Sequence, residues 1–220
     1  MTDTFTETEE DYSVWDYSFA DRIKRAQTSM GSRTAFFYGT LMAKEVLFQV
    51  IFGTSTVSKY NIQTVTQTPA ILHNHKRSRV QHCDYPGVIP SEGHSVRGTY
   101  VTGLTDGDIY RLDMFEGSQY ELKTVRVRLL KTEGDEATGE GNVEGEEMET
   151  QTYIWIDDKE RLEDKEWDYA TFRKEKLHRW AGGEPEDEGG NGHIAQKLAE
   201  EHEKLKQESG NEGEPLKSAV

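Results

Sequence analysis

Apolar residues are concentrated between Thr34 and Trp180, whereas both ends of the chain are rich in acidic residues and glycine. The 220 residues are 34% hydrophobic and 30% charged, an average composition too polar for one compact fold. The segregation removes this difficulty, because a stretch of roughly 150 residues can bury about 70% of its unfolded surface. The sequence therefore predicts one central domain, residues 31–182, between an N-terminal extension, residues 1–30, and an acidic low-complexity tail, residues 183–220.

Each end of the chain contains one segment with helical spacing. In the N-terminal extension, Trp15, Phe19 and Ile23 share one apolar face, which predicts a short helix that packs on the domain or recruits a partner. Residues 193–207 carry only a thin apolar stripe. The tail is therefore interpreted as a mobile solvated segment, with a partner-binding helix as the alternative.

The charge balance excludes two classes of partner. A net charge of −15 at pH 7 is repelled by the phosphates of nucleic acids and by anionic membranes. A basic run at residues 75–79 alternates with other residues, a pattern typical of the solvated face of a strand. No apolar run approaches the roughly 20 residues that a membrane span needs. We predict neither nucleic acid nor a membrane as a partner.

Cysteine usage favours a reducing compartment. Cys83 is the only cysteine, so no intramolecular disulfide can form, and the N-terminus does not resemble a signal peptide. These features predict a cytoplasmic protein, although they do not separate the cytosol from the nucleus.

The central domain alternates between strand-like and helix-like segments. The patterns predict helices over residues 43–52, from an N-cap at Thr105 to Gly117, and over residues 167–180. They predict strands at residues 34–38, 70–72, 76–82, 96–101, 120–130 and 152–156. Residues 84–90 are expected to form a loop because they contain two prolines, and residues 132–150 a flexible acidic connection. Strands with few helices, neither alternating nor segregated, predict an α+β domain around a mixed, barrel-like sheet.

Two places in the sequence are candidates for substrate binding and catalysis. Tyr38, Gly39, Thr40 and Leu41 join a buried strand to a helix, where backbone N–H groups lack partners and suit an anion or a polarised carbonyl. Glu116 ends a helix, where the negative end of the dipole is expected to raise its carboxyl pKa towards that of a general base. An ordinary turn and a solvent-facing glutamate are the alternative interpretations.

A metal site and a cysteine nucleophile have less support. His73, His75, His82 and His94 cluster in sequence, but they do not form a tetrad with zinc spacing. Cys83 follows His82, and neighbours on a strand point to opposite faces. We therefore predict no metal, and the sequence lacks the motifs of nucleotide and serine-hydrolase sites.

Four motifs, taken in order, resemble one family. They are Phe-Tyr-Gly-Thr-Leu-Met from residue 37, Asp-Tyr-Pro-Gly from residue 84, Val-Arg-Gly from residue 96, and Leu-Asp-Met-Phe-Glu-Gly-Ser-Gln-Tyr from residue 112. The segment is similar to the gamma-glutamylcyclotransferase-like superfamily, in its avirulence-induced-gene branch. The resemblance implies a small mixed β-barrel with flanking helices and no cofactor.

The resemblance also implies roles for individual residues. Residues 38–41 would bind the glutamyl portion of a small γ-glutamyl substrate through their backbone N–H groups. Glu116 would be the acid/base, and Tyr120 would border the cavity. The implied reaction releases 5-oxoproline when the α-amino group attacks the γ-carbonyl. The alternative is a catalytically silent binding or stress-signalling module on the same fold.

Overall fold

Five strands form a closed barrel in the computed structural model, which describes residues 33–53, 64–135 and 138–181. The order around the barrel is β1-β3-β2-β4-β5, and β1 closes it by pairing in parallel with β5, Ala35 opposite Gln151. The other neighbouring strands are antiparallel. The strands are β1 Arg33–Phe37, β2 Thr66–Arg79, β3 Pro86–Leu104, β4 Tyr120–Thr132 and β5 Val143–Trp155. The predicted mixed barrel with flanking helices is confirmed.

The first two helices lie close to their predicted positions. Helix α1, Lys44–Phe52, buries Val46, Leu47, Val50 and Ile51 and ends at Gly53, whose φ is 70°. Helix α2, Asp106–Glu116, begins with a capping box. The Thr105 hydroxyl accepts from the N–H of Asp108 at 3.1 Å, and the Asp108 carboxylate accepts from the N–H of Thr105 at 2.9 Å.

The C-terminal helix is divided where one helix was predicted. Helix α3, Tyr169–Glu175, and helix α4, Leu177–Trp180, are separated by Lys176, whose φ is −120°. Trp167 lies outside both helices because its indole N–H donates to the carbonyl of Asp84 at 2.8 Å. The division turns Trp180 into the core, where it is 1% exposed.

Within the loop predicted at residues 84–90, residues 86–90 form the start of β3, so the prediction is wrong for these five residues. Pro86 lies opposite Arg79 and Pro90 lies opposite His75 in the β2–β3 ladder. Strand β1 reaches β3 only from Thr99 onward, so the first part of β3 has a ladder partner on one side only. Proline is tolerated at the start of a strand and along such an edge. Strand β2 ends at Arg79 rather than at the predicted residue 82.

The acidic connection is shorter than predicted, because β5 already begins at Val143. Polar strands can pair here since the ladder needs backbone hydrogen bonds and not burial, and opposite charges face each other across it. The guanidinium of Arg128 lies 2.9 Å from the carboxylate of Glu147. Only the short turn between β4 and β5 remains as a connection. The helices predicted around Trp15 and in the tail lie outside the described residues.

None of the helices in the described part of the chain combines the length and apolar character of a membrane span. The apolar core fills the barrel and the interface between the barrel and its helices.

Gly98 permits the close approach of β3 to β1, and alanine there is expected to be strongly destabilising. A Cβ at this position would lie 2.3 Å from the carbonyl oxygen of Phe37 and 2.5 Å from the ring of Phe36. Such overpacking costs about 1–3 kcal/mol or more. Urea unfolding of Gly98→Ala is therefore expected to show that loss. In Gly107→Ala the nearest atoms are 3.7 Å away, so this control should retain the parental stability or gain up to about 1 kcal/mol.

Candidate active site

One cavity collects all the residues predicted for the site. It lies where the end of β1, the end of α2 and the start of β4 meet, and its volume is about 20 Å³, enough for one water molecule. Its lining includes the predicted Tyr38, Gly39, Thr40, Leu41, Glu116 and Tyr120. It also includes residues that were not predicted, among them Tyr85, Pro86, Tyr153 and Trp180.

The loop after β1 is a turn that presents backbone donors. The N–H of Met42 donates to the carbonyl of Gly39 at 3.0 Å, and the N–H of Ala43 donates to the carbonyl of Thr40 at 3.1 Å. The N–H groups of residues 39–41 lie at the start of this turn, where N–H groups have no acceptor within the turn itself. Donors at the start of a helical turn suit an anion or a carbonyl oxygen.

Gly39 allows this loop to pass close to the start of β3. A Cβ on Gly39 would lie 3.0 Å from both Cγ and Cδ of Pro86, which is tighter than most side-chain contacts. A larger residue would push the loop away from Pro86 and out of its position in the wall. Glycine is therefore favoured here by packing, because any side chain would require Pro86 to shift by a few tenths of an ångström.

Glu116 is half-buried at the last position of α2. The chain turns sharply after it, because Gly117 has a φ of 68° and its N–H donates to the carbonyl of Asp113. Glu116 lines the same cavity as the loop of residues 38–41, which we call the donor loop, so both border one small space. The structure thus brings together the two features that sequence patterns singled out separately.

Four tyrosines surround the carboxylate. Burial raises the pKa of the Tyr38, Tyr120 and Tyr153 phenols far above the ordinary value, and the negative charge of Glu116 raises each of them further. Burial is also the main cause that raises the pKa of Tyr85, and its hydrogen bond with Cys83 raises it further. These phenols therefore remain protonated over the whole physiological pH range.

The phenol hydroxyls hold the walls of the cavity in place. The Tyr38 hydroxyl donates to the carbonyl of Tyr153, and the Tyr120 hydroxyl donates to the carbonyl of Pro86 at 2.9 Å. The Tyr153 hydroxyl donates to the carboxylate of Asp113 at 2.8 Å. These bonds connect β1 to β5 and β4 to β3, so the cavity is formed by strands that are distant in sequence.

Three of the four histidines considered as metal ligands, His73, His75 and His94, contact other groups. His73 lies between the hydroxyl of Ser95 at 2.8 Å and the carboxylate of Glu144 at 2.9 Å. His75 contacts the carbonyl of His73, and His94 contacts the hydroxyl of Ser91. Over residues 33–53, 64–135 and 138–181, no three His, Cys, Asp or Glu side chains form a group that could hold a metal ion.

The domain is a closed mixed barrel with an aromatic-walled cavity that Glu116 borders, and sequence comparison places the chain within a family. The family profile described as gamma-glutamyl cyclotransferase, AIG2-like, matches residues 35–169, and the chain belongs to that family. The resemblance found in the four motifs is confirmed.

Two relatives from Arabidopsis thaliana agree in sequence with the family assignment. The chain is 25% identical to Protein AIG2 C of Arabidopsis thaliana over 142 residues, 64% of this chain and 73% of the relative. It is 30% identical to Protein AIG2 B of the same organism over 143 residues, 65% of this chain and 72% of the relative. A solution structure from Arabidopsis thaliana is 25% identical with a TM-score of 0.44, covering 66% of this chain and 83% of that one.

Proposed function

We propose that this protein is a cyclotransferase that releases 5-oxoproline from a γ-glutamyl amine or peptide. The observation that carries the proposal is the shared cavity of Glu116 and the donor loop, residues 38–41. Membership of the gamma-glutamyl cyclotransferase, AIG2-like family supports it. The reaction joins two groups of one substrate, so the main task of the protein is to hold them in a near-attack geometry.

The proposed chemistry needs one proton carrier. The carboxylate of Glu116 accepts a proton from the substrate α-ammonium, and the freed amine attacks the γ-carbonyl carbon. The new N–C bond closes a five-membered lactam while the old amide C–N bond breaks. Glu116 returns this proton to the leaving nitrogen as the C–N bond breaks. The attacking nitrogen loses its second proton when it becomes the lactam N–H, and this proton departs with the amine as its ammonium ion, so the enzyme is regenerated without a co-reactant. Backbone N–H groups of the loop stabilise the negative charge that develops on the carbonyl oxygen.

The neutral phenols around Glu116 suit this role. Because Tyr38, Tyr120 and Tyr153 stay protonated, none of these phenols is available as a base, and the proposal assigns that role to Glu116. The aromatic walls also limit the access of water, which would otherwise compete with the internal amine. A volume of about 20 Å³ is smaller than a glutamyl group, so binding requires wall side chains to move outward.

The test is a panel of γ-glutamyl compounds with peptide, amino acid, lysine side-chain and simple amine leaving groups. The purified protein is incubated with each compound, and 5-oxoproline and the free amine are quantified by mass spectrometry. We expect equal amounts of both products from at least one compound. The matched control is the same compound acetylated on its α-amino group, which has no nucleophile and should not react.

Two other results would contradict the proposal. Release of glutamate instead of 5-oxoproline would show hydrolysis by water. Binding of γ-glutamyl compounds without any turnover would favour the silent binding module.

A further inference from the structure

The guanidinium of Arg77 binds the backbone of the donor loop. One of its guanidinium nitrogens donates to the carbonyl of Tyr38 at 3.0 Å and to the carbonyl of Arg97 at 3.3 Å. The other terminal nitrogen donates to the carboxylate of Glu166 at 3.0 Å. The guanidinium also lies 5.5 Å from the centre of the Trp167 ring. The side chain is only 10% exposed, although the basic run around it was predicted to be a solvated strand face.

The contact with Tyr38 determines the direction of a donor. The carbonyl of Tyr38 and the N–H of Gly39 belong to one planar trans peptide, so they point in opposite directions. A charged donor on the carbonyl therefore fixes the orientation of the Gly39 N–H. Arginine suits this task because its planar fork holds several acceptors at once in a rigid geometry.

We infer that Arg77 is a positioning residue for the substrate-binding loop. Through the Tyr38 carbonyl it aims the Gly39 N–H at the glutamyl portion of the substrate, and Glu166 and Trp167 hold its guanidinium in place. Arg77 lines a different cavity from the donor loop, so it acts through the peptide and not on the reacting atoms. This inference rests on the proposed cyclotransferase function.

Arg97 is a matched control. It lines the same second cavity of about 530 Å³, and its side chain is 15% exposed. Its guanidinium donates to the carboxylate of Glu133 at 2.7 Å and to the carbonyls of Gly134 and Asp135 at 3.3 Å. These partners belong to the connection between β4 and β5. Removal of the Arg97 side chain therefore breaks a similar number of hydrogen bonds, none of which involves the donor loop.

The experiment compares Arg77→Met, Arg77→Lys and Arg97→Met in the full chain. Loss of the charge-assisted hydrogen bond from Arg77 to the carbonyl of Tyr38 is expected to lower kcat/KM about tenfold to hundredfold. We expect the loss in Arg77→Met mainly as an increase in KM, with partial recovery in Arg77→Lys. Arg97→Met is expected to keep KM within about threefold of the parent.

A second measurement does not depend on turnover. The N–H groups of Met42 and Ala43 are protected only while the loop keeps its bonds to the carbonyls of Gly39 and Thr40. Amide hydrogen exchange at these two positions is expected to accelerate about tenfold or more in Arg77→Met and to stay parental in Arg97→Met. If Arg77→Met does not fold, Glu166→Gln should accelerate the same amides to a smaller extent, since Glu166 is 64% exposed.

The two readouts separate the two proposals. Parental exchange at Met42 and Ala43 in Arg77→Met and Glu166→Gln would overturn the positioning role, whatever the activity. Equal losses of kcat/KM in Arg77→Met and Arg97→Met would also overturn it. Faster exchange in a protein that releases no 5-oxoproline would retain the structural role of Arg77 and reject the cyclotransferase function.

Discussion

Replacement of Glu116 by glutamine is expected to lower kcat by about 10²–10⁴-fold, because general acid–base assistance contributes a factor of this size. Glutamine keeps the size of the side chain and its hydrogen-bonding reach but cannot carry the proton. Substrate binding should persist, since the donor loop at residues 38–41 is untouched, and KM is expected to stay within several-fold of the parent. The fold should also persist, because a helix C-terminus loses nothing when a negative charge is removed.

The measurement is steady-state kinetics with 5-oxoproline as product, accompanied by thermal unfolding of the same samples. Glu121→Gln is the matched control, since Glu121 is an exposed glutamate on β4 that pairs with Lys123. It should retain parental kcat and KM. A Glu116→Gln protein that turns over at near-parental rate would show that another group is the acid/base. One that unfolds would show that the residue is structural.

A steep loss of stability above pH 10 is the second large effect that we expect. Tyr38, Tyr120 and Tyr153 are buried, and their pKa values are raised above the ordinary value. In the unfolded chain each phenol loses its proton near pH 10, whereas the folded protein keeps it, so the unfolded state binds fewer protons. The free energy of unfolding should therefore be unaffected by these groups below pH 10. Above it, the loss is about 4 kcal/mol per pH unit for three groups.

Urea unfolding at closely spaced pH values between 9 and 11 would measure this slope. Tyr120→Phe removes one of the three protons, so its slope is expected to fall by about one third. The phenolate absorbance of the parent should also show these groups titrating together with unfolding. A slope below about 1 kcal/mol per pH unit would contradict the prediction, because it would mean that the phenols ionise within the folded protein.

Local patterns were sufficient for the elements that carry the proposed site. A buried strand followed by Gly39, and a helix whose first turn is capped by Thr105, are encoded within a few neighbouring residues. Such signals do not depend on the rest of the fold, which is why β1, α1 and α2 lie near their predicted positions. The presence of Glu116 and the donor loop on one cavity came instead from the family resemblance.

Other features depend on pairing between distant strands, which no local pattern contains. Tyr85 and Tyr153 line the cavity only because the barrel closes. Tyr85 belongs to the Asp-Tyr-Pro-Gly motif, but the motif by itself does not place its side chain on the cavity. Pro86 appeared incompatible with a ladder, because its place at the open edge of β3 depends on where β1 ends. Arg77 looked like a surface charge in an alternating basic run, and its burial depends on Trp167 and Glu166.

The closure of the barrel also sets an order of events during synthesis. The Tyr38 hydroxyl reaches a carbonyl 115 residues further along the chain, and Ala35 pairs with Gln151 on the last strand. β1 pairs with β3, which is made first, and with β5. A ribosome adds about 5–20 residues per second, so β1 must wait on the order of ten seconds for β5, its second partner. Because the cavity is completed by Tyr153, a nascent chain that stops before β5 cannot form the site.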